Sequence, residues 1–180
     1  MQTARSSSPE LIYLPDFVAQ PEPLFVRMRS ETNWDQRMAA RWTASFGFAY
    51  NYSGIFYPDT PMPEFLNQLA AEISRVVAHP INNCLANFYA DGSSTMGFHS
   101  DSTAELAPGS TVSIVSLGQV RTLTFRCKEE RQRRLEYSLA PGSLLIMAPS
   151  VQAEWQHALL KNKEAGPRIS LTFRHITQPG

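Results

Sequence analysis

Arg168-Ile-Ser-Leu-Thr-Phe-Arg174 constrains the fold of this chain more than any other stretch. Its alternation has the period of a β-strand, where every second side chain shares a face. One face reads Ile169, Leu171, Phe173, an apolar surface fit for burial between layers. The other reads Arg168, Ser170, Thr172, Arg174, far too polar for ordinary core.

Two histidines and an aspartate suggest a metal. In His99-Ser100-Asp101 the first and third side chains project to one side of an extended segment, and Ser100 points the other way. His157 follows far downstream. Two imidazoles and one carboxylate can occupy one face of an octahedral ferrous ion, leaving three positions open for a co-substrate and dioxygen. Ligands so distant in sequence meet in a jelly roll, whose successive strands return to the same mouth. His79, just before Pro80 at a helix end, and His175, alternating away from Arg174, read as structural or exposed.

The rest of the pattern agrees with such a fold. Leu11–Leu14 reads as a short strand, and helical spacing of Leu24, Phe25 and Met28 predicts a helix from about Glu22. Residues 31–47, with aromatic and basic residues scattered through polar positions, read as a partly exposed flap. Glu64 to Val77 has an apolar stripe of Phe65, Leu66, Leu69, Ile73, Val76 and Val77, with Pro80 enforcing its end. Strands are predicted over 84–90, 111–117, 121–127, 134–139, 143–147 and 168–175, punctuated by Pro-Gly at 108–109 and 141–142. The expected architecture is mainly β: a double-stranded β-helix (jelly roll) with N-terminal helices packed on one sheet. Residues 1–9 are expected as a loose tail and 10–178 as a single domain.

Charge balance argues against a strongly electrostatic nucleic-acid binder, since 16 basic residues face 16 acidic ones. A local basic groove stays compatible, because field depends on arrangement. Lys128, Arg131, Arg133 and Arg134 form the best basic run, interrupted by Glu129 and Glu130, and read as a solvated hairpin tip. Cys84 and Cys127 give no disulfide framework and read as two buried free thiols in a reducing cytosol. No apolar run approaches membrane-spanning length and no secretory signal opens the chain, so a cytoplasmic monomer without membrane contact is expected.

Asn87-Phe-Tyr89-Ala-Asp91-Gly92 precedes the His-x-Asp pair, and the Arg-x5-Arg string follows His157. Leu106-Ala-Pro-Gly109, Val115-Ser-Leu-Gly118, Thr122-Leu-Thr-Phe-Arg126, Pro141-Gly-Ser-Leu-Leu145 and Glu154-Trp-Gln-His157 fall between them. In this order the motifs resemble the AlkB family of iron(II)/2-oxoglutarate dioxygenases, from about Met38 to Ile176. The resemblance implies Fe(II) held by His99, Asp101 and His157, with 2-oxoglutarate and O2 as reagents. It implies that Arg168 holds the distal carboxylate of 2-oxoglutarate with Tyr89 assisting, and that Asn87, Thr172 and Arg174 complete that pocket. Guanidinium suits this task because its planar fork binds carboxylate bidentately. Members often carry Asn where this chain has Ser170.

The resemblance also implies oxidative dealkylation of N-alkylated bases in DNA or RNA, as in alkylation repair. The alkyl carbon is hydroxylated and leaves as an aldehyde. The base must be single-stranded or flipped out to reach the metal. Tyr50-Asn-Tyr52-Ser-Gly54 resembles the aromatic strand lining the base slot, which makes Tyr52 the stacking residue and Tyr50 its neighbour. The resemblance makes residues of about 31–57 the substrate-recognition flap, with Arg41 expected on the strand or the base and Trp34 and Met38 expected as cover. Where several repair members carry an acid two residues after the metal aspartate, this chain has Thr103, and the nearest carboxylate is Glu105. The same chemistry on a modified tRNA base, a protein or a small metabolite is the alternative. A catalytically silent nucleic-acid-binding module has no need for four buried charges. A cupin-like metal fold leaves Arg168 and Arg174 unexplained.

Overall fold

The computed structural model describes residues 8–177. The expected tail at residues 1–9 therefore lies outside the described residues as far as residue 7, and Pro9 is buried. Leu11–Leu14 forms β1 and Pro21–Glu31 forms α1, with Pro21 in the first turn, where its missing N–H removes no helical bond. Trp42–Gly47 is β2, Tyr50–Tyr52 is β3 and Ile55–Tyr57 is β4. Glu64–Val77 is α2, as the apolar stripe predicts, and the left-handed Ala78 closes it before Pro80. Asn83–Tyr89 (β5), Met96–His99 (β6), Val112–Gly118 (β7), Arg121–Cys127 (β8), Arg134–Leu139 (β9) and Leu144–Met147 (β10) follow. Pro149–Glu154 forms the short α3, then come Trp155–Leu159 (β11) and Arg168–Arg174 (β12).

The strands build two facing sheets and a hairpin. The larger sheet has the order β1-β10-β7-β12-β5-β2, the smaller β6-β11-β8-β9, and β3 pairs with β4. This is the expected mainly β jelly roll. β12 lies in the interior of the larger sheet, antiparallel to β7 on one side and β5 on the other. Its two faces separate as the alternation predicts. Ile169, Leu171 and Phe173 join Phe25, Met28, Leu66, Leu69 and Ile73 in an apolar layer between the larger sheet and the helices. The opposite face looks toward the smaller sheet, where Leu85, Ile114, Leu123, Phe125 and Trp155 form a second cluster.

Residues 42–47, read from sequence as part of a partly exposed flap, are the edge strand β2, paired with β5 from Trp42↔Phe88 to Gly47↔Asn83. Thr43, Ala44 and Ser45 are buried there. Trp34 packs on Phe88 at 5.5 Å between ring centroids, a covering role. Gly92 closes the Asn-x-Tyr-x-Asp-Gly motif for a steric reason. A Cβ there would sit 1.6 Å from the carbonyl oxygen of Asn162, whose N–H donates to Gly92 O at 3.0 Å. Among the described residues no helix is long and apolar enough to cross a membrane.

Candidate active site

β6 and β11 bring the two histidines together. His99 and His157 are paired across these strands, with ring centroids 4.4 Å apart. Asp101 Oδ1 lies 3.5 Å from His99 Nε2 and 3.8 Å from His157 Nε2. One ligand atom from each residue falls within 4.8 Å of the others, close enough to converge on one ion. His99 Nδ1 donates to Gly97 O at 2.8 Å, which leaves the Nε2 lone pair directed at the centre. Ser100 points away, its hydroxyl donating to Trp155 O at 2.7 Å.

Electrostatics set the protonation a divalent cation requires. Burial pushes the His157 imidazole down to about 4, against the pull of Asp101, so it is neutral at neutral pH. Burial opposes ionisation of Asp101, but the charge of Arg174 outweighs it. With help from both imidazoles, it holds the carboxyl far below its ordinary range. Arg174 Nη2 and Nε donate to Asp101 Oδ2 at 2.6 and 3.1 Å. Two imidazoles and one carboxylate suit a divalent first-row metal.

The triad lines a partly open chamber between the sheets, of about 410 Å³ including its mouth. Asn87, Tyr89, Arg168, Ser170, Thr172 and Arg174 all line it, so every residue expected around 2-oxoglutarate is brought together. Arg168 is 2 % exposed, under the Tyr89 ring at 5.4 Å. Its Nη2 donates to Ser116 Oγ at 2.9 Å. Burial and then the neighbouring charge of Arg121 lower the guanidinium to about 10, with Tyr89 partly offsetting them. Among the described residues Arg168 has no carboxylate partner in a salt bridge, and neither its Nε nor Arg174 Nη1 has an acceptor. Buried donors without acceptors fit a chamber built to take an anion from outside the chain. A keto acid with two carboxylates answers both: one end for Arg168, the other beside the metal and Arg174.

Several expected contacts have different partners. Arg174 is bonded to the metal-ligand Asp101, so at most its free Nη1 turns to a co-substrate. Arg41 is committed to the protein itself: Nε to Asn87 Oδ1 at 3.0 Å, Nη1 to Thr95 O at 3.2 Å, Nη2 to Tyr52 Oη at 2.5 Å. Glu105 is buried behind the β3–β4 hairpin, accepting the Asn51 N–H at 3.3 Å. Thr103 lines a separate groove with Leu106 and Gln152. Cys84 is fully buried, as expected, whereas Cys127 at the end of β8 is partly exposed. His79 stacks on His175 at 6.2 Å and bonds Thr111, away from the chamber.

A second, open cleft of about 900 Å³ adjoins the chamber. Arg41, Tyr50, Tyr52, Phe98 and Ser102 line it. Tyr52, Met96, His99 and Asp101 line both spaces and form the partition between them. Tyr50 and Tyr52 stack at 6.3 Å, and Arg174 lies 4.9 Å over the Tyr50 ring. Phe98 sits beneath Arg126 at 3.9 Å. Met96, Phe98, Ser116 and Gln152 escaped sequence reasoning. Only Ser116 carried a signal, one of two serines, with Ser113, in the otherwise apolar run of β7.

Comparisons with known proteins agree with this geometry. The 2OG-Fe(II) oxygenase superfamily matches residues 15–174. The mouse DNA oxidative demethylase ALKBH2 is 36% identical over 138 residues, covering 72% of this chain and 58% of that protein. Mouse alpha-ketoglutarate-dependent dioxygenase alkB homolog 3 is 31% identical over 186 residues, covering 90% of this chain and 64% of that protein. The chain thus spans less than two thirds of the length of either relative. The solved structure of OsALKBH1 superposes with a TM-score of 0.70 at 16% identity, covering 97% of this chain and 100% of the other, a likeness of fold. With the superfamily match spanning both sheets and all three triad residues, the chain belongs to the 2OG-Fe(II) oxygenase superfamily, among its AlkB-type members.

Proposed function

We propose that this protein is an Fe(II)/2-oxoglutarate-dependent dioxygenase that removes alkyl groups from the nitrogens of bases in DNA or RNA. The observation that carries the reading is the partition. Tyr52, His99 and Asp101 face the open cleft on one side and the arginine-bearing chamber on the other. A planar ring in the cleft therefore meets the metal ligands from one side while a dicarboxylate meets them from the other. Similarity to a protein called a DNA oxidative demethylase supports it.

Each residue has a defined task in this reading. His99, Asp101 and His157 hold the metal, and Arg174 keeps Asp101 ionised. Arg168 takes the distal carboxylate of 2-oxoglutarate, with Ser116 and Tyr89 fixing its guanidinium plane. Asn87 and Thr172 line the pocket beside it. Tyr52 offers its ring to the base, and Arg41 holds the Tyr52 hydroxyl so that the ring keeps its angle. Arg126 and Arg134, paired across β8 and β9 and both over Phe98, lie where a phosphate backbone would pass. When bound, Fe(II), 2-oxoglutarate and O2 supply the oxidation that turns the N-alkyl carbon into an aldehyde-releasing group. The working unit in this reading is a single copy of residues 10–178 in a reducing compartment, which the two free cysteines support.

The test is a coupled product assay. Protein, Fe(II), 2-oxoglutarate and ascorbate are incubated with methylated oligonucleotides, and succinate and demethylated base are measured together. Equal yields are expected. Succinate without demethylation of any alkylated oligonucleotide transfers the reading to a protein or metabolite substrate.

A further inference from the structure

Asp101 is held from two ends. Arg174 grips one carboxylate oxygen, Oδ2. Behind the backbone, Gln152 Oε1 accepts the Asp101 main-chain N–H at 2.8 Å. Gln152 is buried on α3, the helix that leads directly into β11 and His157. Its Nε2 faces Met147 Sδ at 3.7 Å, and Lys128 Nζ donates to its main-chain carbonyl at 2.7 Å. The amide is therefore fixed at both ends of the residue.

We propose that Gln152 is a positioning residue of the metal centre, setting the direction in which the Asp101 carboxylate projects. The inference rests on the metal reading above. β6 ends at His99, so no strand ladder fixes the Asp101 backbone. Its N–H depends on a side-chain acceptor instead. Arg174 cannot take over this role, because it bonds only Oδ2 and leaves the main-chain N–H of Asp101 untouched. The ligand atom Oδ1 must be placed against both imidazoles from the backbone side, and Gln152 is the group that does so. A second side-chain strap between these segments, Ser100 Oγ to Trp155 O at 2.7 Å, leaves Asp101 untouched.

The experiment titrates Mn(II) into the full chain without co-substrate and follows free Mn(II) by EPR. Gln152→Met keeps the volume and removes the acceptor. Its Mn(II) affinity should fall by about 10- to 100-fold, the usual effect of losing a partner that orients a metal ligand. The Asp101 amide should exchange with solvent faster, and the spectrum of bound Co(II) should change. Gln152→Glu keeps an oxygen acceptor and should restore most of the affinity. Ser100→Ala should leave it close to wild type. The proposal is overturned if Gln152→Met binds Mn(II) as wild type does. It is equally overturned if Gln152→Glu and Ser100→Ala weaken binding as much as Gln152→Met, because the cause is then general loosening. Equal Mn(II) binding by wild type and Asp101→Ala would instead overturn the metal reading, and this inference with it.

Discussion

Replacing Arg168 by Met should stabilise the protein without ligands and abolish its response to 2-oxoglutarate. Arg168 is fully buried, and burial brings its guanidinium from an ordinary 12.5 down to about 10. Read through linkage, that depression corresponds to a penalty of about 3 kcal/mol on the charged form in the folded chain. Ser116 returns roughly 1 kcal/mol through its hydrogen bond. Methionine fills a similar volume and carries no charge to desolvate. The variant should therefore gain about 2 kcal/mol, or roughly 4–8 °C in Tm for a chain of this size.

With co-substrate the order should reverse. Binding at about a hundred times Kd stabilises the folded state by about 2.7 kcal/mol. Breaking a buried charge pair costs about 3–5 kcal/mol, or roughly two to three and a half orders of magnitude in affinity. Thermal scans with Mn(II), with and without 2-oxoglutarate, would show the wild type rising and Arg168→Met unmoved. Arg168→Lys should respond weakly, since an ammonium lacks the planar fork. A lower Tm for ligand-free Arg168→Met, with the 2-oxoglutarate response intact, would refute the reasoning: Arg168 would then be a structural cation and the dicarboxylate would bind elsewhere.

Four further outcomes are expected. Asp101→Ala should lose Fe(II)-dependent succinate formation and keep the fold, which circular dichroism and a turnover assay check together. Tyr52→Ala should lose roughly ten- to a hundred-fold in efficiency on a methylated oligonucleotide, the range for one base–aromatic stack. Tyr52→Phe, which keeps the ring and loses the Arg41 bond, should fall between it and wild type, with uncoupled succinate formation little changed in both. Ser102→Asp places a carboxylate in the cleft and should favour cationic lesions over neutral ones, whereas Thr103→Asp, in the separate groove, should leave lesion preference unchanged. Metal-free stability should be pH-dependent. His157 titrates near 4 when folded and near 6.5 when free, so its contribution is complete above about 6.5 and lost as pH falls through about 4. Tm measured across this window should fall less steeply for His157→Gln than for wild type.

Much of the site was legible in the sequence because its chemistry is local in pattern. The alternation of Arg168 to Arg174 separates the apolar layer from the chamber, and the structure follows it residue by residue. His-x-Asp announces two ligands on one side of an extended segment. What pattern cannot show is which polar groups satisfy one another across the sheets. Arg41 reads as a surface contact in a flap, yet three of its nitrogens are bonded within the protein. Its partners Asn87 and Thr95 lie 46 and 54 residues away in sequence. β2 and β11 carry mixed polar and apolar residues that imitate loops, and only pairing with β5 and β8 makes them strands. Gln152 lies on a six-residue helix, too short for periodicity to reveal which side faces Asp101.

The charges of the chamber explain why its two ligands belong together. Arg168 and Arg174 contribute two positive charges and Asp101 one negative charge, all buried. A divalent cation on the triad raises the net charge from plus one to plus three, and a dicarboxylate returns it to plus one. In a poorly solvated space each step alone is costly, whereas the pair nearly cancels. The metal therefore favours the dianion and the dianion favours the metal by the same free energy. The Arg174–Asp101 bond tempers the first step, since it keeps the aspartate from carrying an unbalanced charge before the metal arrives. In the proposed function Arg168, with no such partner, carries the selectivity for the dianion. One strand, β12, supplies both guanidiniums, one from each end. The distance between co-substrate anchor and metal centre is thereby set by six residues of extended backbone, which is why a single alternating heptapeptide constrains so much of this molecule.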